Sequence, residues 1–199
     1  MKIIGLCGGS GSGKGAVGKL FEKHGVPVID TDAVYHELTS ARSECIDELV
    51  LAFGNSIIDE NGALNRLSLG KIVFSDNASD KLEKLNRITH KHILSKAREM
   101  LADFSRRGFS MAVVDAPLLF ESGFNKECDV IVSVIADSDT RIKRIMSRDK
   151  ISEDAAKRRI ATQLGDDFLI ANSDFVIRND STLSELAEKI EILINDIKI

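Results

Sequence analysis

The chain has 199 residues, 43% of them hydrophobic, a formal charge of −4 and only two prolines. That length suits one domain with a substantial core and a small appended part, and the absence of Pro/Ser-rich or repeated stretches argues against linkers and tails. The acidic balance disfavours a general nucleic-acid coat, no apolar run is long enough for a membrane span, and three scattered cysteines (Cys7, Cys45, Cys128) give neither a disulfide framework nor a zinc site, so a reducing cytoplasm is expected.

The first element in chain order is an apolar strand over residues 2–7, which runs directly into Gly8-Gly9-Ser10-Gly11-Ser12-Gly13-Lys14. This is the Gly-x-x-x-x-Gly-Lys spacing of a phosphate-binding loop. Glycines let successive backbone N–H groups turn inward on phosphate oxygens, and a helix opening at Lys14 adds its free first-turn amides. Val17, Leu20 and Phe21 supply the apolar face of that helix, over residues 14–23. Lys14 is then a mobile charge for the terminal phosphates. Gly15 stands where such loops carry the Ser or Thr whose hydroxyl ligates Mg²⁺, so the mode of metal binding is in question.

Further short, apolar strand signals follow at residues 26–29, 111–115, 129–136 and 174–177. Helical patterns fill the intervals at 33–53, 67–74, 80–107, 139–148, 152–164 and 182–194. Alternation of this kind predicts an α/β doubly wound fold with a parallel sheet covered by helices. Roughly eighty residues separate the second and third strands, far more than one crossover needs, which predicts a helical insertion over about 36–108. In the long helix, Leu82, Leu85, Ile88, His92, Leu94, Ala97, Leu101 and Phe104 form an inward stripe.

Two strands end in carboxylates: Asp30 and Asp32 close the second, Asp115 the third. Ligands of open parallel sheets bind beyond such ends. One of Asp30 and Asp32 is expected to orient or deprotonate an acceptor hydroxyl while the other helps place Mg²⁺ or its waters; capping of the next helix is the alternative use. Asp115 is expected at a Mg²⁺-bound water, with a turn at Ala116-Pro117 as its alternative. Residues 141–159 hold eight Lys and Arg against three acids. Within them, Arg141, Arg144 and Arg148 share a helical face and suit an anion-covering lid over about 141–165. His90 and His92 face different sides of a helix and are poor joint metal ligands.

Taken together, Gly5-Leu-x-Gly-Gly-x-Gly-Ser-Gly-Lys14, Val28-Ile-Asp-Thr-Asp32 with His36, Asn61-Gly with Arg66, His90, Val114-Asp-Ala-Pro-Leu-Leu-Phe-Glu121, Arg144-x-x-x-Arg148-Asp149, Arg159-Ile-x-x-Gln163 and Asp174-Phe-Val-Ile-x-Asn179 resemble the ordered signatures of bacterial dephospho-coenzyme A kinases over almost the whole chain. The resemblance implies a three-layer, parallel-sheet phosphate-loop nucleoside triphosphate hydrolase fold with a helical acceptor insertion and an arginine-rich lid. It implies a cytoplasmic enzyme that uses ATP and Mg²⁺ to phosphorylate the ribose 3′-hydroxyl of dephospho-coenzyme A, with no nucleic-acid or membrane partner. Gly9, Gly11, Ser12, Gly13, Lys14, Gly15 and Ala16 would cradle ATP with Arg144 and Arg148 from the lid. Lys14, Asp32 and Arg144 would be catalytic, Asp32 as base. Asp32, His36, Arg66, His90, Pro117 and Leu118 would meet the acceptor, and Asp115 and Asp32 would hold the metal through water. Two departures stand out: Gly15-Ala16 replaces Ser-Thr, and Lys91 follows His90 where the family has Pro. A kinase of another nucleotide-like molecule, or a binding protein weakened by Gly15, remains open at this point.

Overall fold

The computed structural model describes residues 1–75 and 79–198. Five strands form one sheet: β1 (Lys2–Cys7), β2 (Val28–Asp30), β3 (Met111–Asp115), β4 (Val130–Ile135) and β5 (Phe175–Arg178), in the order β2-β3-β1-β4-β5. The pairings of β1 with β3, β1 with β4 and β4 with β5 are parallel. Every residue of β3 is buried, as a strand covered on both faces requires. Chain order reverses at β1, whose neighbours are β3 and β4, so the loop leaving β1 opens at the sheet's topological switch point.

Two compact units divide the chain, Met1–Ile29 with Asp103–Ile199, and Asp30–Ala102. In the first, α1 (Lys14–Lys23) and α9 (Leu183–Lys198) cover the sheet through Val17, Leu20, Phe21, Leu186, Ile190, Leu193 and Ile194, which pack with Ile4, Leu6, Val113 and Val132. The same unit carries α6 (Ser138–Asp149), α7 (Glu153–Ala161) and α8 (Asp166–Ala171). Asp137 caps α6 by accepting from Thr140 N at 2.9 Å, and Lys150, at φ 55°, ends it in the left-handed region. Ile142, Ile145 and Ala156 then join α6 to α7. The sequence pattern extends α7 to 164 and passes over α8, which has only six residues.

The second unit contains α2 (Thr31–Ser40), α3 (Glu44–Phe53), α4 (Arg66–Val73) and most of α5 (Ser79–Arg106). Its core gathers Cys45, Ile46, Leu49, Ile57, Leu64, Leu69, Val73 and Ile88. The expected helix over 33–53 is two helices, because Ala41 is extended and Ser43 starts a new one. The Ser43 hydroxyl accepts from Ile46 N at 3.2 Å and donates to Leu38 O at 2.6 Å, while Glu44 and Asp47 favour the positive end of α3. On α5, Ile88, Ala97 and Leu101 of the expected stripe are buried. No helix among the described residues is long and apolar enough to cross a membrane.

Candidate active site

The loop between β1 and α1 takes the shape that its glycines anticipate. Gly13 is the N-cap of α1 at φ 92°, and no side chain caps the helix; Ala16 N turns back to Gly13 O, and the amides of Lys14 and Gly15 are left for a ligand. A Cβ on Gly13 would stand 2.0 Å from Asn179 Nδ2, which donates to Ser12 O at 2.7 Å, so glycine is required there by space as well as by angle. Gly15 differs: its φ is ordinary, and a Cβ there would meet nothing within 4 Å.

Pairing of Leu6 with Asp115 sets the end of β3 beside the start of the loop. Lys14 Nζ makes a short ion pair with Asp115 Oδ1, both side chains being largely buried. The expected phosphate lysine and metal carboxylate are therefore brought together. Asp115 is the kind of ligand Mg²⁺ takes through water, and described residues show no cluster of three or more His, Cys, Asp or Glu able to cage an ion. This donor set fits a Mg²⁺ that arrives on nucleotide phosphates and keeps much of its water. Ser12, in the same loop, is buried, and its Oγ has no hydrogen-bond partner.

The basic helix is placed against the loop, with two of its arginines spent in ways the sequence did not indicate. Arg144 Nη1 donates to the carbonyls of Gly11 at 3.2 Å and Ser12 at 3.3 Å, and Nη2 to Asn179 O at 3.1 Å. Arg141, 5% exposed, donates through Nε to Ser10 O at 3.0 Å, through Nη1 to Asp166 at 3.2 Å and through Nη2 to Gln163 Oε1 at 3.2 Å. Arg148 is more exposed and grips its neighbour Asp149 with two bonds of 2.7 and 2.9 Å, while Arg159 holds the same carboxylate from α7. The Arg148 guanidinium, with Arg159 second, depresses the Asp149 carboxyl to about 2. Arg141, Gln163 and Asn179 thus contact the loop directly and Asp166 through Arg141, contacts that the sequence pattern does not indicate. Pro117 and Leu118 line a cavity with Gly8, Gly9, Phe120, Glu121, Gln163 and Leu169.

Asp32, His36, Arg66 and His90 belong to the unit Asp30–Ala102. Asp30 is the N-cap of α2, its Oδ1 accepting from Asp32 N at 2.9 Å and Ala33 N at 3.1 Å. Asp32 is exposed in the first turn of the same helix. Arg66 donates to His36 Nδ1 at 2.6 Å and lies 5.6 Å from the Tyr35 ring centroid, so two expected acceptor residues meet. His90 is half-buried on α5.

A family model described as dephospho-CoA kinase matches residues 2–185. The chain belongs to the dephospho-coenzyme A kinase family. A dephospho-CoA kinase of Fusobacterium nucleatum is 39% identical over 189 residues, covering 95% of each chain. One of Saccharomyces cerevisiae is 36% identical over 203 residues, covering 100% of this chain and 83% of the other. A crystal structure of a Thermus thermophilus protein superposes with a TM-score of 0.80 at 28% identity, covering 98% of this chain and 97% of that one. The fold is that of a phosphate-loop kinase.

Proposed function

We propose that the chain carries out its family's reaction, ATP-dependent phosphorylation of dephospho-coenzyme A to coenzyme A, at the ribose 3′-hydroxyl, with the phosphate loop and Lys14 as the donor site. The observation that carries this reading is an uncapped, glycine-turned helix start with Lys14 held beside Asp115 at the sheet's switch point. Backbone N–H groups of residues 11–16 bind the phosphates, and Lys14 exchanges Asp115 for the transferring group and neutralises the charge that develops on it. A bound Mg²⁺ would supply further neutralisation, and Asp115 would hold it through water. Arg144 steadies the loop through its carbonyls, and Arg148 faces the nucleotide from the lid.

Asp32 serves as the base. Asp30 spends its carboxylate on two amides of α2, which leaves the exposed Asp32 carboxylate available to accept the proton of the attacking hydroxyl. His36, Arg66 and His90 form the acceptor side of the helical unit. Three cysteines without a disulfide support work in a reducing cytoplasm.

The test is turnover of dephospho-coenzyme A with ATP and Mg²⁺ by the purified protein and two variants. Asp32→Asn should lower kcat by about 10²–10⁴ with ATP affinity nearly unchanged, whereas Lys14→Ala should weaken both. Full activity in Asp32→Asn would return the base role to another group. Turnover of a nucleoside monophosphate in place of dephospho-coenzyme A would overturn the acceptor.

A further inference from the structure

Ser10 has its N–H, its carbonyl and its hydroxyl all engaged by side chains that come from the other end of the chain. Gln163 Oε1 accepts from Ser10 N at 2.9 Å and Gln163 Nε2 donates to Ser10 Oγ at 3.2 Å. Arg141 Nε donates to Ser10 O, and its Nη2 shares the Gln163 oxygen. Asp166, at the start of α8, neutralises the buried guanidinium through Nη1. The fit leaves no slack: a Cβ on Gly9 would lie 2.2 Å from Arg141 Nη2, and one on Gly11 2.6 Å from Arg141 O.

We infer that Gln163 and Arg141, with Asp166 as counter-ion, are positioning residues that set the nucleotide-ready shape of the phosphate loop. The physical reason is the cost of ordering. A glycine-rich loop has more conformational freedom to lose than any other segment, and a ligand that must order it binds more weakly by that amount. Fixing Ser10 from three sides removes part of the cost before ATP arrives, and it keeps the amides of the following residues aimed at the phosphates. Burying a guanidinium for this purpose is tolerable only because its charge is paired and its donors are used. None of these groups needs to touch the nucleotide, and because they hold the loop itself, their effect falls first on ATP binding.

This inference rests on the loop being the ATP site, and the experiment separates the two. ATP affinity is measured by titration calorimetry without acceptor, and KM for each substrate and kcat by steady-state assay, for the parent, Gln163→Ala and Arg141→Lys. Gln163→Ala deletes both Ser10 contacts at a half-buried position. Arg141→Lys keeps the charge, but a single ammonium nitrogen cannot span the three acceptors that Nε, Nη1 and Nη2 reach separately. Both variants should raise the ATP Kd and KM by about 5–30-fold, the loss of two modest hydrogen bonds, and should raise KM for dephospho-coenzyme A by less. Asp166→Asn, which retains an oxygen for Arg141, should fall between these variants and the parent. An unchanged ATP Kd in folded Gln163→Ala and Arg141→Lys, or an equal rise in both KM values, overturns the positioning role. Failure of the parent itself to bind ATP would instead overturn the nucleotide site.

Discussion

Restoring the absent loop hydroxyl tests the site at its most unusual position. Gly15 lies in the first turn of α1 with ordinary φ and open space around a Cβ, so Gly15→Ser and Gly15→Ala both enter without strain. Glycine in a helix costs about 0.5–1 kcal/mol relative to alanine, and serine recovers roughly half of that. A domain of this size gains about 2–4 °C in Tm per kcal/mol, so the rise should be about 1–4 °C for Gly15→Ala and about half that for Gly15→Ser. The hydroxyl adds a second effect that alanine lacks. In the parent, which lacks that hydroxyl, water would fill the position on a bound Mg²⁺. Exchanging that water for a tethered hydroxyl is worth about 0.5–1.5 kcal/mol, or a lowering of about 2–12-fold in half-saturating Mg²⁺ for Gly15→Ser alone. The assay is a Mg²⁺ titration of turnover at saturating ATP and dephospho-coenzyme A, with thermal melts in parallel. Identical Mg²⁺ requirements in the serine and alanine variants would refute the claim that this position faces the ion. A lower Tm in both would refute the open space.

Gly13→Ala should be as damaging as Gly15→Ala is harmless. Its φ of 92° and the 2.0 Å approach of Asn179 Nδ2 imply a loss of about 2–4 kcal/mol, read as a Tm lower by about 5–15 °C, and a melt within 2 °C of the parent would contradict the geometry. Asp149 carries the pH signature of the α6–α7 pair. Its folded-state pKa is depressed to about 2 by Arg148 and then Arg159, so its contribution is fully present above its ordinary value near 3.8 and is lost as pH falls through about 2. Carboxyl NMR should follow that midpoint, and Asp149→Asn should abolish the corresponding part of the acid transition. A midpoint at the ordinary value would show that the two arginines do not hold it.

What could be read along the chain was whatever local pattern decides. The loop, the helix after it and five short apolar strands follow from spacing that neighbours in sequence enforce, and even the break between α2 and α3 is written in Ser43 followed by Glu44 and Asp47. The carboxylates at strand ends were legible because parallel strands deliver their C-terminal ends to one edge, but their division of labour was not. Only the structure shows Asp30 committed to two helix amides. The basic stretch was the least legible part, since a run of Lys and Arg on an amphipathic helix reads as a solvated or ligand-facing surface. Arg141 departs from that reading because residues far away in sequence, Ser10, Gln163 and Asp166, supply three acceptors around one guanidinium. One sign of it was available: Arg141 sits next to Ile142 and one turn before Ile145, on the side of α6 that is buried. A charge on a buried stripe needs a partner, and here the partners include the backbone of the loop that binds the nucleotide. Burial of that arginine therefore carries the information from fold to function: where a solvated arginine acts on phosphate by its charge, this one acts by fixing where the loop's own amides point.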